Sequence, residues 1–152
     1  MQLTDVMATQ IVSVSPDTEL GAAARRMVEA DVGAAIVLDD RGELAGVITE
    51  RDLMRCVGDG LDASRPVSER MTTNVLTAPA TVSLQEAMAL MIDGRFRHLP
   101  VVNEEGSVVG LVSMRDLMAY TALRLRGGVQ GEAEVDQAEL LASIHRLRTG
   151  AA

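Results

Sequence analysis

An internal repeat constrains the fold of this chain more than any other feature of its sequence. Residues 7–54 align without a gap on residues 71–118, an offset of 64, and twelve of the 48 aligned positions are identical. The identities include an Arg-Asp-Leu-Met run at the end of each copy and two pairs of glycines. Chance matches in an apolar-rich chain would scatter and require gaps. The unbroken register therefore indicates a duplication, and two copies alone predict a pseudo-symmetric pair and not a solenoid.

Both copies predict the same order of elements, β-α-β-β-α. Apolar residues at helical spacing predict a first helix over 18–31 and over 83–93, with Thr18 and Ser83 as N-caps. Ser83 with Glu86 fits a capping box. A second helix is expected to begin at Thr49 and at Ser113. The predicted strands are 10–15, 34–39 and 43–48 in the first copy and 74–79, 98–103 and 107–112 in the second.

The predicted fold class is mixed α/β (α+β), with the domains following the repeat. Residues 3–57 form the first copy, and the Gly-, Pro- and Asp-containing segment 58–66 is a linker. Residues 67–125 form the second copy. Residues 126–152 are expected to be a flexible linker and a tail with a short helix at 134–148, whose acidic start and basic end suit the helix dipole.

Composition excludes several classes of partner. A net charge of −8 argues against nucleic acid, and an aromatic content of 1% leaves few rings on which bases could stack. No stretch has the roughly 18 apolar residues of a membrane span, and no signal peptide is visible. The single cysteine, Cys56, cannot form an internal disulfide, which favours a reducing cytoplasm.

Catalysis is not expected. The sequence has no Ser/His/Asp or Cys/His set, no metal-ligand spacing and no Gly-rich phosphate loop. Two histidines in the whole chain also argue against a zinc site. Cys56 lies among apolar neighbours on a predicted helix, and we expect it to be an inert core residue.

The repeated segments resemble the CBS domain, in the tandem arrangement called a CBS pair or Bateman module. The resemblance covers about residues 3–125 and is carried by MATQIVSVSPDTEL and MTTNVLTAPATVSL, FRHLPVVNEEGSVVG, and GVITERDL and GLVSMRDL. Ile36 departs from the family pattern, where the second copy has Pro100. The resemblance implies two copies packed sheet to sheet with two clefts between them. Family members bind AMP, ADP, ATP, S-adenosylmethionine, NAD or cyclic dinucleotides in such clefts.

Two pairs of residues at the predicted start of the second helix can be interpreted in two ways. Thr49 with Asp52, and Ser113 with Asp116, are three residues apart and so lie on one helix face. A hydroxyl N-cap followed by an acid stabilises any helix. A carboxylate can also accept two hydrogen bonds from a ribose, and the first-turn amides can receive an anion. Both roles can coexist, and the recurrence of the pair together with the resemblance favours ribose binding.

Arg97 and His98 are the leading candidates for binding phosphate. They match the place, just before the apolar-Pro-Val strand, where related CBS pairs contact ligand phosphates. The first copy has Gly33 and Ala34 there, so the two clefts are expected to differ. The alternative is that Arg97 and His98 end a solvent-facing loop or, for His98, that it is a half-buried residue with satisfied hydrogen bonds.

The remaining candidates are two arginines and the residues of the first strand in each copy. Arg51 and Arg115 either pair with phosphate in a fork geometry, face solvent, or bond to the neighbouring copy. Related modules hold adenine against the first strand, largely through backbone groups. The residues at that place here, with Thr as a hydroxyl donor or simply a good strand residue, are Thr9, Ile11, Val12, Thr73, Val75 and Leu76.

The resemblance implies a regulator that senses an adenosine-containing nucleotide, AMP, ADP or ATP first, with S-adenosylmethionine or NAD as other candidates. No cofactor is expected to be required, and Mg²⁺ only together with a polyphosphate ligand. Occupancy would change the packing of the two halves or of a homodimer formed through apolar faces at 53–57 and 117–125, and an unidentified protein partner would read that change. The alternative is a ligand-independent scaffold whose apolar helices serve only to dimerise.

Overall fold

The computed structural model describes the backbone of residues 1–127 and the side chains of residues 1–123. The predicted tail helix at 134–148 lies outside the described residues. The strands are β1 (Ser13–Val14), β2 (Ala34–Leu38), β3 (Leu44–Thr49), β4 (Ala78–Pro79), β5 (His98–Val102) and β6 (Val108–Ser113). The helices are α1 (Leu20–Glu29), α2 (Glu50–Gly58), α3 (Leu84–Gly94) and α4 (Met114–Gly127), with single 3-10 turns at Leu3–Asp5 and Val67–Glu69.

Each copy forms one three-stranded sheet, which confirms the predicted fold class. In the first, β1 pairs in parallel with β2, and β2 pairs antiparallel with β3; the order β4-β5-β6 repeats this arrangement. The departure at Ile36 does not disturb the pairing, because Ile36 lies opposite Val47 as Pro100 lies opposite Leu111. The first strands are much shorter than predicted. In the first copy, Ile11 and Val12, before β1, line a cavity. The Val12 carbonyl still accepts a hydrogen bond from the amide of Ile36 in β2 at 2.9 Å.

Three of the four predicted helix starts agree with the structure, and the fourth is wrong. Ser83 caps α3 in the predicted capping box with Glu86, and Thr49 and Ser113 precede α2 and α4. Helix α1 begins at Leu20, after Glu19, and not at Thr18. The Thr18 hydroxyl instead accepts a hydrogen bond from the Ser15 amide at 3.0 Å. A threonine that closes such a local turn is not available as an N-cap.

The apolar residues form one core in each copy and a third core between the two sheets. The inner core of the first copy contains Cys56, which is 4% exposed as predicted, and burial raises the pKa of its thiol. The third core brings Ile36 and Val47 of the first sheet against Leu111 of the second. The two copies are therefore packed sheet to sheet, as the resemblance implied.

The opening segment of each copy packs into the core of the other copy. Leu3 and Val6 lie in the core of the second copy, and Val67 lies in that of the first. The amide and carbonyl of Ala8 exchange hydrogen bonds with those of Leu111 at 2.9 and 3.0 Å. We call residues 3–8 the N-terminal strap. It ties the beginning of the first copy to the sheet of the second.

The glycines repeated at 46 and 110 allow these crossing segments to approach the sheets. A Cβ atom at Gly46 would lie 2.7 Å from the carbonyl oxygen of Thr72, and one at Gly110 would lie 2.6 Å from the sulfur of Met7. At Gly46 the contact is with rigid backbone, and at Gly110 the Met7 side chain would have to move while the Ala8 carbonyl oxygen remained at 3.2 Å. The identity of this glycine pair in the two copies therefore follows from the exchange of segments between them.

Candidate ligand-binding cleft

A cavity of about 360 Å³ lies where the two copies meet. Its apolar wall includes Ile11 and Val12 from the chain before β1, together with Val32 after α1. Its polar wall comes mainly from the start of β5 and the start of α4. The full lining is Ala8, Gln10, Ile11, Val12, Met27, Val28, Asp31, Val32, Gly33, Ala34, Glu50, Arg97, His98, Leu111, Ser113, Met114, Arg115 and Asp116.

The cavity brings together half of the residues predicted to bind a ligand. From the first copy it contains two of the adenine-pocket candidates, and from the second copy it contains the Ser113 and Asp116 pair. The phosphate candidates Arg97, His98 and Arg115 also line it. The predicted residues that do not line this cavity are Thr9, Thr49, Arg51, Asp52, Thr73, Val75 and Leu76.

Asp116 lies at the base of the cleft and is 1% exposed. Its Oδ2 accepts hydrogen bonds from the amide of Ser113 at 2.9 Å and from the hydroxyl of Ser113 at 2.7 Å. The Ser113 hydroxyl accepts in turn from the amide of Asp116 at 3.2 Å. This reciprocal cap agrees with the structural interpretation of the pair. Since a carboxylate has about four lone-pair positions, capping is compatible with ribose binding.

The Thr49 and Asp52 pair has the same geometry outside the cavity. Asp52 Oδ2 accepts from the amide and the hydroxyl of Thr49 at 3.0 and 2.6 Å. Its Oδ1 lies 3.7 Å from the guanidinium of Arg55. The two copies thus present one capping arrangement twice, once inside the cleft and once outside it. This contrast provides a matched control for experiments on Asp116.

Arg97 is paired with an acidic side chain of the other copy. Its guanidinium lies 3.6 Å from the carboxylate of Glu50, and both side chains are about half exposed. The carbonyl of Arg97 accepts a hydrogen bond from the amide of Met114, at the start of α4, at 2.8 Å. An anion entering the cleft therefore meets an arginine that already has a carboxylate partner.

His98 is half-buried against Gly33. A Cβ atom at position 33 would lie 3.2 Å from the Nε2 atom of His98, so the glycine leaves room for the imidazole. Burial lowers the pKa of His98 below its ordinary value of 6.5, and the positive charge of Arg97 lowers it further. Glu50 and Asp116 act in the opposite direction. At neutral pH the ring is thus uncharged, and it offers a hydrogen bond but no positive charge to a ligand.

The lowered pKa of His98 predicts that acid destabilises the folded protein. Below about pH 6.5 the unfolded chain binds a proton at this position more readily than the folded chain does, so stability falls as the pH falls. Urea unfolding at pH 7.5 and at pH 5.5 measures this effect. The free energy of unfolding should fall more between the two pH values in the wild type than in His98→Gln. An equal or larger loss in the variant would contradict the assignment.

Two acidic residues of the cleft were missed in the sequence. Asp31 and Glu50 line the cavity, yet neither belongs to the repeated hydroxyl-Asp pairs. The repeat alignment contains a signal for them, because Asp31 aligns with Arg95 and Glu50 aligns with Met114. Arg95, although close in sequence to Arg97 and His98, does not line the cavity. A change of charge between equivalent positions marks where the two copies have diverged.

Neither a metal centre nor a membrane-spanning helix is found in the part of the chain that the structure describes. Over residues 1–127, no group of three or more His, Cys, Asp or Glu side chains is arranged to hold a metal ion. No helix within the same residues is both long and apolar enough to cross a bilayer.

Comparison with known proteins establishes the family. The sequence model of the CBS domain matches residues 3–59 and again 67–122, so the chain belongs to the CBS domain family and carries two copies of the domain. It is 38% identical over 114 residues to the CBS domain-containing protein YhcV of Bacillus subtilis (strain 168), covering 74% of this chain and 80% of the relative.

Solved structures of CBS proteins share the fold. The CBS-domain containing protein ATU1752 from Agrobacterium tumefaciens is 33% identical with a TM-score of 0.72, covering 78% of this chain and 97% of that one. The CBS domain protein PAE2072 from Pyrobaculum aerophilum, complexed with AMP, is 25% identical with a TM-score of 0.77, covering 86% and 100%. This protein is therefore similar to a tandem CBS pair that binds an adenine nucleotide.

Proposed function

We propose that this protein is a non-catalytic regulator that senses an adenosine-containing ligand in the cleft between its two CBS copies. The observation that carries the proposal is the convergence of three kinds of predicted residue on one cavity. Ile11 and Val12 offer an apolar wall for a base, Asp116 offers a carboxylate for a ribose, and Arg97 and His98 line the same cavity. The AMP complex of PAE2072 supports the same ligand class.

The proposed mechanism follows from how the cleft is built. Its walls come from both copies, and the strap residue Ala8, which lines the cleft, is bonded to Leu111 of the second copy. A ligand that contacts both walls binds best to one relative arrangement of the copies and thereby favours that arrangement. A partner protein would detect the arrangement that the ligand stabilises.

Calorimetric titration tests the proposal. Protein freed of co-purified nucleotide would be titrated with adenosine, 5′-methylthioadenosine, AMP, ADP, ATP, S-adenosylmethionine and NAD, and with cytidine and CMP as controls. Saturable binding of at least one adenosine derivative, with no binding of the cytidine compounds, is expected. If none of the adenosine compounds in the panel gives a heat of binding, the proposed function is wrong.

We also propose that the protein forms a homodimer through helices α2 and α4. Met54 and Met118 occupy equivalent positions in the two copies and are 73% and 61% exposed, and Val57 on α2 is 80% exposed. Exposed apolar side chains at equivalent positions suit an interface between two copies of the chain. This face is also the observation that favours the second candidate function, a dimerisation scaffold that needs no ligand.

Charge placed on this face should separate the dimer. The double substitution Met54→Glu and Met118→Glu is expected to convert a dimer to a monomer in analytical ultracentrifugation, because burying two unpaired carboxylates from each protomer opposes association. Leu90→Glu on helix α3, another partly exposed apolar position, is the control and should remain dimeric. A wild type that sediments as a monomer, or a double variant that stays dimeric, would contradict the interface.

The proposed compartment is a reducing cytoplasm. Cys56 is a buried free thiol, and a chain with one cysteine gains nothing from an oxidising environment. The unidentified partner protein is expected to be found there as well.

A further inference from the structure

We propose that Glu50 makes the cleft selective by charge, so that it prefers adenosine derivatives whose 5′ substituent is uncharged or cationic over adenosine phosphates. This inference rests on the proposed function and names the ligand class within it. It depends on three features of the described residues: the charges that line the cleft, the partner of Arg97, and the hydrogen bonds made by the amides at the start of α4.

The charges around the cleft do not favour a polyanion. Three carboxylates line it, on Asp31, Glu50 and Asp116, against two guanidinium groups, on Arg97 and Arg115. The neutral imidazole described above adds no positive charge. The lining therefore carries an excess of one negative charge, whereas a di- or triphosphate brings three or four of its own at neutral pH.

Arg97, the best placed cation, already has a carboxylate partner in the cleft. The Arg97 and Glu50 side chains approach to 3.6 Å across the boundary between the copies. The Glu50 carboxyl carbon also lies 3.5 Å from where a Cβ atom at Gly33 would stand, next to His98. A phosphate that reached Arg97 would therefore have to displace Glu50 or lie beside it, and either costs binding free energy.

The helix start offers fewer donors to an anion than the sequence suggested. The amide of Met114 donates to the Arg97 carbonyl, and the amides of Ser113 and Asp116 donate to the reciprocal cap. Amides that already donate within the protein are poor donors to a phosphate, although helix N-termini in general attract anions. A thioether or a sulfonium group at the 5′ position needs none of them, and a cation is attracted to Glu50 and Asp31.

The duplication supports a specific role for Glu50. The equivalent position in the second copy is Met114, and the equivalent of Asp31 is Arg95. Both acids therefore occur only on the first-copy side of the shared boundary. Glu50 and Asp31 add negative charge to this cleft, whereas their equivalents Met114 and Arg95 would add none to the opposite cleft.

Calorimetric titration of the full chain with 5′-methylthioadenosine, S-adenosylmethionine, AMP and ATP tests the inference. The wild type is expected to bind 5′-methylthioadenosine at least about tenfold more tightly than ATP, as like charges disfavour the polyphosphate. Glu50→Gln should strengthen AMP and ATP binding by about two- to fivefold, the range for a solvent-screened charge pair, and leave 5′-methylthioadenosine unchanged within the error of the titration. Glu105→Gln, at the far turn of the β5–β6 hairpin, is the matched control and should change nothing.

The outcomes separate this inference from the proposed function. ATP binding as tight as that of 5′-methylthioadenosine in the wild type, or Glu50→Gln changing all ligands equally, would overturn charge selection while leaving the adenosine site intact. Failure of every adenosine compound to bind any of the three proteins would overturn the proposed function and this inference with it.

Discussion

Replacing Leu3 with alanine is expected to lower the free energy of unfolding by about 2–5 kcal/mol, the range for truncating a fully buried leucine. Leu3 is 0% exposed and packs in the core of the second copy, although it belongs to the first copy in the chain. The substitution removes apolar contacts and leaves a cavity beneath the strap. Urea unfolding monitored by circular dichroism measures the change, and one cooperative transition should remain, because the strap joins the two copies.

Leu90→Ala is the matched control for this substitution. It removes the same atoms from helix α3, where Leu90 is 38% exposed, and we expect it to cost at most about 1 kcal/mol. Equal losses in the two variants, or a Leu3→Ala protein as stable as the wild type, would contradict the packing of the strap. Two separate transitions in the wild type would contradict the folding of the copies as one unit.

Asp116→Ala is expected to abolish stabilisation by adenosine ligands, whereas Asp52→Ala should retain it. At a concentration about a hundred times the dissociation constant, a ligand adds about 2.7 kcal/mol to the wild type, which corresponds to a rise in Tm of about 5–10 °C at this chain length. The Asp116 variant loses the carboxylate at the base of the cleft. Thermal unfolding with and without the tightest ligand of the panel measures the difference.

Asp116→Ala and Asp52→Ala can be compared directly because both variants lose the acidic member of the same capping box. Each aspartate accepts hydrogen bonds from the amide and hydroxyl of the residue three positions earlier, so each substitution should cost about 0.5–2 kcal/mol without ligand. A reduced Tm alone is therefore no sign of lost binding; the test is the ligand-dependent rise. Asp52→Ala losing that rise, or Asp116→Ala keeping it, would place the ribose elsewhere.

The local architecture of this protein could be predicted from its sequence, since it depends on short-range patterns. The strands at 34–38 and 98–102 agree with apolar runs bounded by turn residues, and the cap at Ser83 agrees with its hydroxyl and acid spacing. The same rule for helix caps gave the wrong start for α1, at Thr18. Thr18 lies two residues before Leu20, whereas Ser83 lies directly before the equivalent Leu84, so the N-cap position of α1 falls on Glu19. The Thr18 hydroxyl is left to close the turn to Ser15.

The exchange of segments between the copies could not be predicted from one sequence. Leu3 and Val67 are apolar residues at the beginning of each copy, and nothing local indicates which core they enter. The cleft was predicted only in part for the same reason. The alignment of the repeat shows that Asp52 and Asp116 occupy equivalent positions. It does not show that Ile11 of the first copy and Asp116 of the second line one cavity, which depends on how the two copies pack. Glu50 enters the cavity for the same reason, from the copy opposite Arg97.

The most direct test of the central claim is the location of the bound ligand by nuclear magnetic resonance. The amide spectrum of the 16.2 kDa protein, labelled with ¹⁵N, would be followed as 5′-methylthioadenosine and AMP are added. We predict that the largest shifts occur at Ile11, Val12, Gly33 and the residues from Ser113 to Asp116. No shifts with either ligand, or shifts centred on Thr49 to Asp52 or on Met54 and Met118, would contradict an adenosine site in this cleft.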